Sequence, residues 1–245
     1  MERTQTNERT RKMVVTGMLA AVAFCAVLLG RVIPNFNGFL SYDPKDAVVA
    51  IGGFIYGPGV ALIITVLVSL IELFTISTTG IYGFIMNVVS TASFALPAVI
   101  VYKKMHSMKG AYVGAAAGIV SMTAMMMLWN LIITPIYMGM PRSVVAGMMF
   151  TVFMPFNLVK SGINAGLTLL LYKPLVTALR SAKLIPEAKA GSQKFKWGYM
   201  LVSAAILSAF IAGFVMLVKP KAKEEPKEEP AAVTETVATE APAAN

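Results

Sequence analysis

The 245-residue chain is 57% hydrophobic and 13% charged, against roughly 25% charged for an ordinary soluble domain, which excludes a soluble globular protein and leaves a polytopic membrane protein. Its single cysteine, Cys25, excludes a disulfide framework, and its one histidine, His106, has too few acidic neighbours for the usual zinc constellations. The net charge of +9 is spread over short segments between apolar spans instead of lining one face, so it reads as a topology signal and not as a nucleic-acid surface.

Residues 1–12 form a polar cytoplasmic N-terminal segment with Arg3, Arg9, Arg11 and Lys12 ahead of a first apolar span, 13–33. That span is too long for a signal-peptide h-region and lacks a small-x-small cleavage site, so it is a mature helix. Gly17, Ala21 and Cys25 recur every four residues with Ala20 alongside, a groove in which another helix can approach closely, within this chain or on a partner. Pro34 and the residues after it break the helix, and Phe39-Leu-Ser-Tyr-Asp-Pro-Lys-Asp46 is a loop that gathers aromatic, apolar and acidic groups. Pro44, capped by Asp43, starts a second span over 46–56, short for a full crossing. Gly57-Pro58-Gly59 is a tight turn, and a third span runs over 60–76 with Glu72 near its outer end, read as an interfacial carboxylate.

The fourth span, 81–102, carries Asn87, Ser90, Thr91 and Ser93, polar groups of the kind that join helices, and is followed by a basic loop containing His106. The fifth, 110–137, holds small residues, then methionines, then Trp129 and Asn130. An outer connection over 138–147 precedes the sixth span, which begins near Thr151 and ends at Tyr172-Lys173-Pro174. Within it Asn157 and Lys160 lie three residues apart, on one helical face inside the bilayer. An intramembrane lysine marks a functional site unless it snorkels to an interface or pairs with a buried carboxylate such as Glu72. A basic cytoplasmic linker, 177–196, leads to a seventh span, 197–218, whose Ala205, Ala209 and Gly213 again repeat every four residues, as a packing face. The tail, 219–245, is rich in Lys, Glu, Pro and Ala without apolar periodicity and is expected to be disordered.

Lys and Arg beside the spans number thirteen on the side of the N-terminus against three on the other, Arg31, Lys45 and Arg142. The N-terminus is therefore expected in the cytoplasm of a plasma-membrane protein, and seven crossings would leave the tail outside. The outer half of the bundle then presents Asn130, Asn157 and Lys160 beneath the aromatic loop. Such a pocket suits a flat, mostly neutral ligand with electron-rich oxygen or nitrogen edges, and it disfavours a cation. With no nucleophile and base pair, no carboxylate dyad and no metal site, the reading is a binder or carrier and not an enzyme. No Gly-x-x-x-x-Gly-Lys-Ser/Thr stretch occurs, so ATP-driven movement would need another subunit.

Four motifs, in order, carry a resemblance over residues 13–176: the loop Phe39 to Asp46, Gly53-Phe-Ile-Tyr-Gly-Pro58, Asn130 after Trp129, and Pro155-Phe-Asn-Leu-Val-Lys160. This stretch, a six-span substrate-binding membrane domain, resembles the substrate-binding S component of energy-coupling-factor (ECF) vitamin transporters, most closely the riboflavin-specific branch. The resemblance implies an all-α, six-helix bundle, here with a seventh helix and tail that lie outside it. It implies that Asn130, Asn157 and Lys160 hydrogen-bond the polar rim of the isoalloxazine, and that Phe39, Leu40 and Tyr42 help close the entrance. Riboflavin would be a transported ligand, with no cofactor. A transmembrane coupling subunit and two cytoplasmic ATPases would be the partners, the coupling subunit meeting the Gly17, Ala20, Ala21 and Cys25 face. Another vitamin, a flavin precursor, or a non-transporting scaffold or flavin donor are the alternatives.

Overall fold

The computed structural model describes residues 2–37, 39–185 and 197–218. Eight α-helices are found among them: α1 Glu2–Gly30, α2 Lys45–Tyr56, α3 Pro58–Thr75, α4 Gly80–Met105, α5 Met108–Met138, α6 Arg142–Met148, α7 Met154–Ser181 and α8 Trp197–Val218. A π-helical turn, Met149–Phe153, joins α6 to α7 without a break. Six helical stretches among the described residues are long and apolar enough to cross a membrane, with 142–181 counted as one. The all-α architecture expected from hydropathy is present. Much of the linker and the whole tail, 186–196 and 219–245, lie outside the described residues.

The second span is the exception to crossing. At 12 residues, α2 is about 18 Å long, and its residues from Lys45 to Phe54 are buried among the other helices. Tyr42 and Asp43, directly ahead of it, are buried as well, so the chain enters α2 from inside the bundle. That entry is tight: a Cβ on Gly30 would lie 2.6 Å from the carbonyl oxygen of Tyr42 and 2.8 Å from the Pro44 ring. Gly57, at φ 100°, makes the single-residue turn into α3, a conformation open to glycine and strained for other residues. Ser107 caps α5 by accepting a hydrogen bond from the Gly110 amide at 3.0 Å.

Three boundary expectations need correction. Asp43 does not cap α2; Pro44 occupies the cap position without a side-chain bond, because the Asp43 carboxylate faces two lysines instead. The connection expected over 138–147 shrinks to a few residues, since helix resumes at Arg142 directly after Pro141. The helix containing Lys160 does not stop at Pro174 but continues to Ser181. Proline removes one backbone donor, and the neighbouring turns carry the helix past it.

The packing of α8 is also different from expectation. Of the expected face, Ala205 and Ala209 are exposed while Gly213 lies against Val159 of α7, and the large residues Leu207, Phe210 and Phe214 also face α7. The small residues are on α7: a Cβ at Gly166 would come within 2.9 Å of the Leu207 backbone, and one at Gly162 would enter the Phe210 ring. The close approach is thus made by a Gly-x-x-x-Gly pair opposite bulky side chains. Tyr112 of α5 fixes the other end of α8, its hydroxyl donating to the Tyr199 carbonyl at 2.8 Å. Gly166→Leu should therefore push α8 from its seat and lower the thermal midpoint in detergent by several degrees, as expected for a loss of about 2 kcal/mol in a domain of this size. An unchanged midpoint would show that α8 contributes nothing to the fold.

Candidate ligand site

A cavity of ≈ 190 Å³ lies at the end of the bundle away from the N-terminus. Its wall is made by the ends of α1, α3, α4, α5 and α7 and by the 31–44 segment, and it includes Asn130, Asn157, Lys160, Phe39 and Leu40. Five of the six residues singled out for ligand contact therefore meet in one place.

Each amide is held by its own helix. Asn130 donates to the Met126 carbonyl at 2.7 Å and accepts from the Thr134 hydroxyl at 3.0 Å. Asn157 donates to the Phe153 carbonyl at 2.8 Å. That carbonyl lies in the π-helical turn directly ahead of Pro155, so the irregularity helps set the Asn157 rotamer. Both amides keep a second N–H for the cavity. Phe156 beside them stacks on Phe36 at 5.7 Å between ring centroids, and Phe39 meets Phe153 edge-on at 6.0 Å. The aromatic loop is thus pinned to α7 and the π turn.

Tyr42, the sixth residue, faces elsewhere. It is buried in a cluster with Val159 and Ile163, against Phe210 and Phe214 of α8, and its hydroxyl donates to the Asn164 side-chain oxygen at 3.2 Å. Burial and the neighbouring Asp46 and Asp43 carboxylates push its phenol pKa upward, which keeps it a neutral donor. It anchors the loop from behind and does not line the cavity.

Lys160 pairs with Asp43 at 3.3 Å, not with Glu72. The carboxylate near the end of α3 is taken by Lys45 at 2.6 Å and by the Asn87 amide at 2.8 Å. Glu72 is consequently no interfacial group; it is buried and lines the cavity. Lys45 likewise is 1% exposed, so it is a structural cation and not a topology charge. Asp43 lies 3.6 Å from the same lysine. Burial alone would raise the Asp43 carboxyl pKa, and Lys45 and Lys160 together bring it below the ordinary carboxylate range. Asp46 completes the network, accepting from the Thr91 hydroxyl at 2.6 Å and the Asn164 amide at 3.1 Å.

On α1, Gly17, Ala21 and Cys25 are exposed along one stripe, whereas Ala20 is buried in the core. Three of the four small residues thus remain on the surface of the chain, and the fourth packs inside.

Residues 11–176 match the family described as ECF transporter, substrate-specific component. The chain belongs to that family. It is a transporter component and not an enzyme. This S component is 28% identical over 193 residues to the riboflavin transporter FmnP of Bacillus subtilis (strain 168), covering 72% of this chain and 99% of the relative. It is 25% identical over 188 residues to the riboflavin transporter RibU of Staphylococcus aureus (strain TCH60), covering 71% and 94%. Among solved structures, the S component of a bacterial ECF transporter superposes with a TM-score of 0.61 at 26% identity, over 70% of this chain and 99% of that one.

The buried charge network is what sequence reading missed. Its signal was present: Asp43, Lys45 and Asp46 stand together at the start of an apolar span too short to cross by itself. Charges placed there must descend with the segment, and once inside they need partners.

Proposed function

We propose that this protein is the riboflavin-binding S component of an ECF-type importer, capturing the vitamin in the cavity below the 31–44 segment and delivering it inward with a separate ATP-driven module. The observation that carries this reading is the convergence of Asn130, Asn157 and Lys160 on one cavity beneath an aromatic loop, in a chain whose relatives include two riboflavin transporters. The isoalloxazine presents carbonyl oxygens and ring nitrogens along one edge, which amide N–H groups and an ammonium can meet. Its other edge is apolar and suits Phe39, Leu40 and Phe156.

The test is the visible absorption of protein purified in detergent without added ligand, followed by quenching of riboflavin fluorescence on titration. A retained flavin spectrum, or quenching that weakens about tenfold in Asn157→Ala as one hydrogen bond is lost, supports the reading. A colourless protein that also fails to quench riboflavin removes flavin as the ligand.

The inward module is proposed to consist of a transmembrane coupling subunit and two ATPases, and the exposed Gly17, Ala21 and Cys25 stripe is the face proposed to meet it. The basic residues flanking the spans favour a cytoplasmic N-terminus, now with Lys45 removed from the opposing side. Gly17→Trp should abolish riboflavin uptake by cells while leaving binding by the purified protein intact. Uptake at the normal rate in that variant would argue against docking at this stripe and favour a non-transporting role.

A further inference from the structure

The stretch of chain from Phe39 to Asp43 has two faces. Phe39, Leu40, Ser41 and Asp43 line the cavity, while Tyr42 among them is buried on the opposite side, 6% exposed. Its ring lies 5.9 Å from that of Phe214, tilted by 56°. Ile33, earlier in the same segment, packs into the same cluster, as does Leu217. The last turns of α8 therefore form a wall behind the residues that face the cavity.

Asn164 of α7 ties this wall to the site. Its side-chain oxygen accepts from the Tyr42 hydroxyl at 3.2 Å, and its amide donates to the Asp43 carbonyl at 3.0 Å and to the Asp46 carboxylate at 3.1 Å. It is fully buried and does not line the cavity, so its hydrogen bonds hold the strap and the start of α2 in place. Asp43 in turn faces Lys160 at 3.3 Å. A short route thus leads from α8 to the cavity, by the Phe214 and Tyr42 rings, the Tyr42–Asp43 peptide bond and the Asp43–Lys160 pair.

In other respects α8 is peripheral. Ser203 is the one buried residue of the helix, and the family match ends at residue 176, so α8 lies beyond the part of the chain that the family shares. A helix that only anchored the chain in lipid would need no more than its seat on Gly162 and Gly166. The ring contact near its C-terminal end is additional, and aromatic pairs of this kind stabilise beyond the area they bury.

We infer that α8 is a brace for the ligand site, with Phe214 a positioning residue that acts through Tyr42 to hold residues 39–43 in place over the cavity. Phe214 itself touches no ligand. The placement of the strap is a property of the fold, and its effect on affinity rests on the riboflavin reading.

The experiment measures hydrogen exchange in the ligand-free, full-length protein in detergent, and riboflavin dissociation constants by fluorescence quenching. Wild type is compared with Phe214→Ala, Leu207→Ala, Tyr42→Leu and the variant combining Phe214→Ala with Tyr42→Leu. Leu207 sits over Gly166, about 10 Å from Phe214 along the helix, and controls for the seating of α8 alone. Phe214→Ala should speed exchange of the Leu40 amide, which donates to the Phe36 carbonyl at 3.0 Å, and should weaken riboflavin binding, each about tenfold. Leu207→Ala should lower the thermal midpoint while leaving both at their wild-type values. In the Tyr42→Leu background, replacing Phe214 should add little, since the contact is already gone. Wild-type exchange and affinity in Phe214→Ala would overturn the brace and leave α8 as an anchor. Faster exchange at unchanged affinity would overturn the positioning role. Equal changes in Phe214→Ala and Leu207→Ala would overturn it by assigning the effect to overall stability, and full additivity with Tyr42→Leu would overturn the route through Tyr42. A wild-type protein that binds no riboflavin removes the riboflavin reading, and the exchange comparison then decides the brace by itself.

Discussion

Lys160→Ala should reduce riboflavin affinity about 100-fold, the largest effect expected of a single residue in the cavity, because two losses combine. The ammonium is one of the few positively charged groups on the cavity wall and is proposed to make a charge-assisted bond to the ring edge. It is also the partner of Asp43 at 3.3 Å, so its removal loosens the segment that covers the ligand. The two contributions separate in the variant Lys160→Met with Asp43→Asn. That pair removes the carboxylate together with the ammonium that faces it and should recover thermal stability, but it restores no donor and should leave binding weak. Full recovery of affinity in the double variant would show that Lys160 acts only as a tether. Wild-type affinity in Lys160→Ala would remove it from the site altogether.

Lys45→Met should destabilise the ligand-free protein more than any change in the cavity. The side chain is 1% exposed and answers Glu72 at 2.6 Å and Asp43 at 3.6 Å. Without it, Asp43, Asp46 and Glu72 share Lys160 as the one remaining cation of the network. Breaking a buried pair by deleting one partner costs about 3–5 kcal/mol, because the other charge stays desolvated and unpaired. Neutralising both partners, Lys45→Met with Glu72→Gln, should recover most of that loss. Thermal unfolding in detergent distinguishes these cases. A single variant as stable as wild type would mean that water, and not Lys45, balances the three acids.

Both predictions concern residues whose roles were unequally legible. Asn130, Asn157 and Lys160 stand out in the sequence because each is a polar group inside an apolar run, and the membrane makes such groups costly enough to signal function. Lys45 and Glu72 carry comparable cost, but they lie near span ends, where an interfacial position is the simpler reading. Only the packing of α2 and the end of α3 among the other helices takes them out of water.

The sequence by itself determined the all-α membrane architecture, the positions of most spans and the polar trio. Hydropathy over about 20 residues and isolated intramembrane polar groups are local properties, readable without knowing what lies alongside. The tertiary structure alone decided the pairing of Lys160 with Asp43 instead of Glu72, and the turning of Tyr42 away from the cavity toward α8. It also decided the seating of α8 by Gly162 and Gly166 instead of its own alanines. Each of these depends on which helix faces are neighbours. In a lipid-embedded bundle, steric fit and the pairing of buried charge make that choice, since apolar surface gains little by leaving lipid for protein.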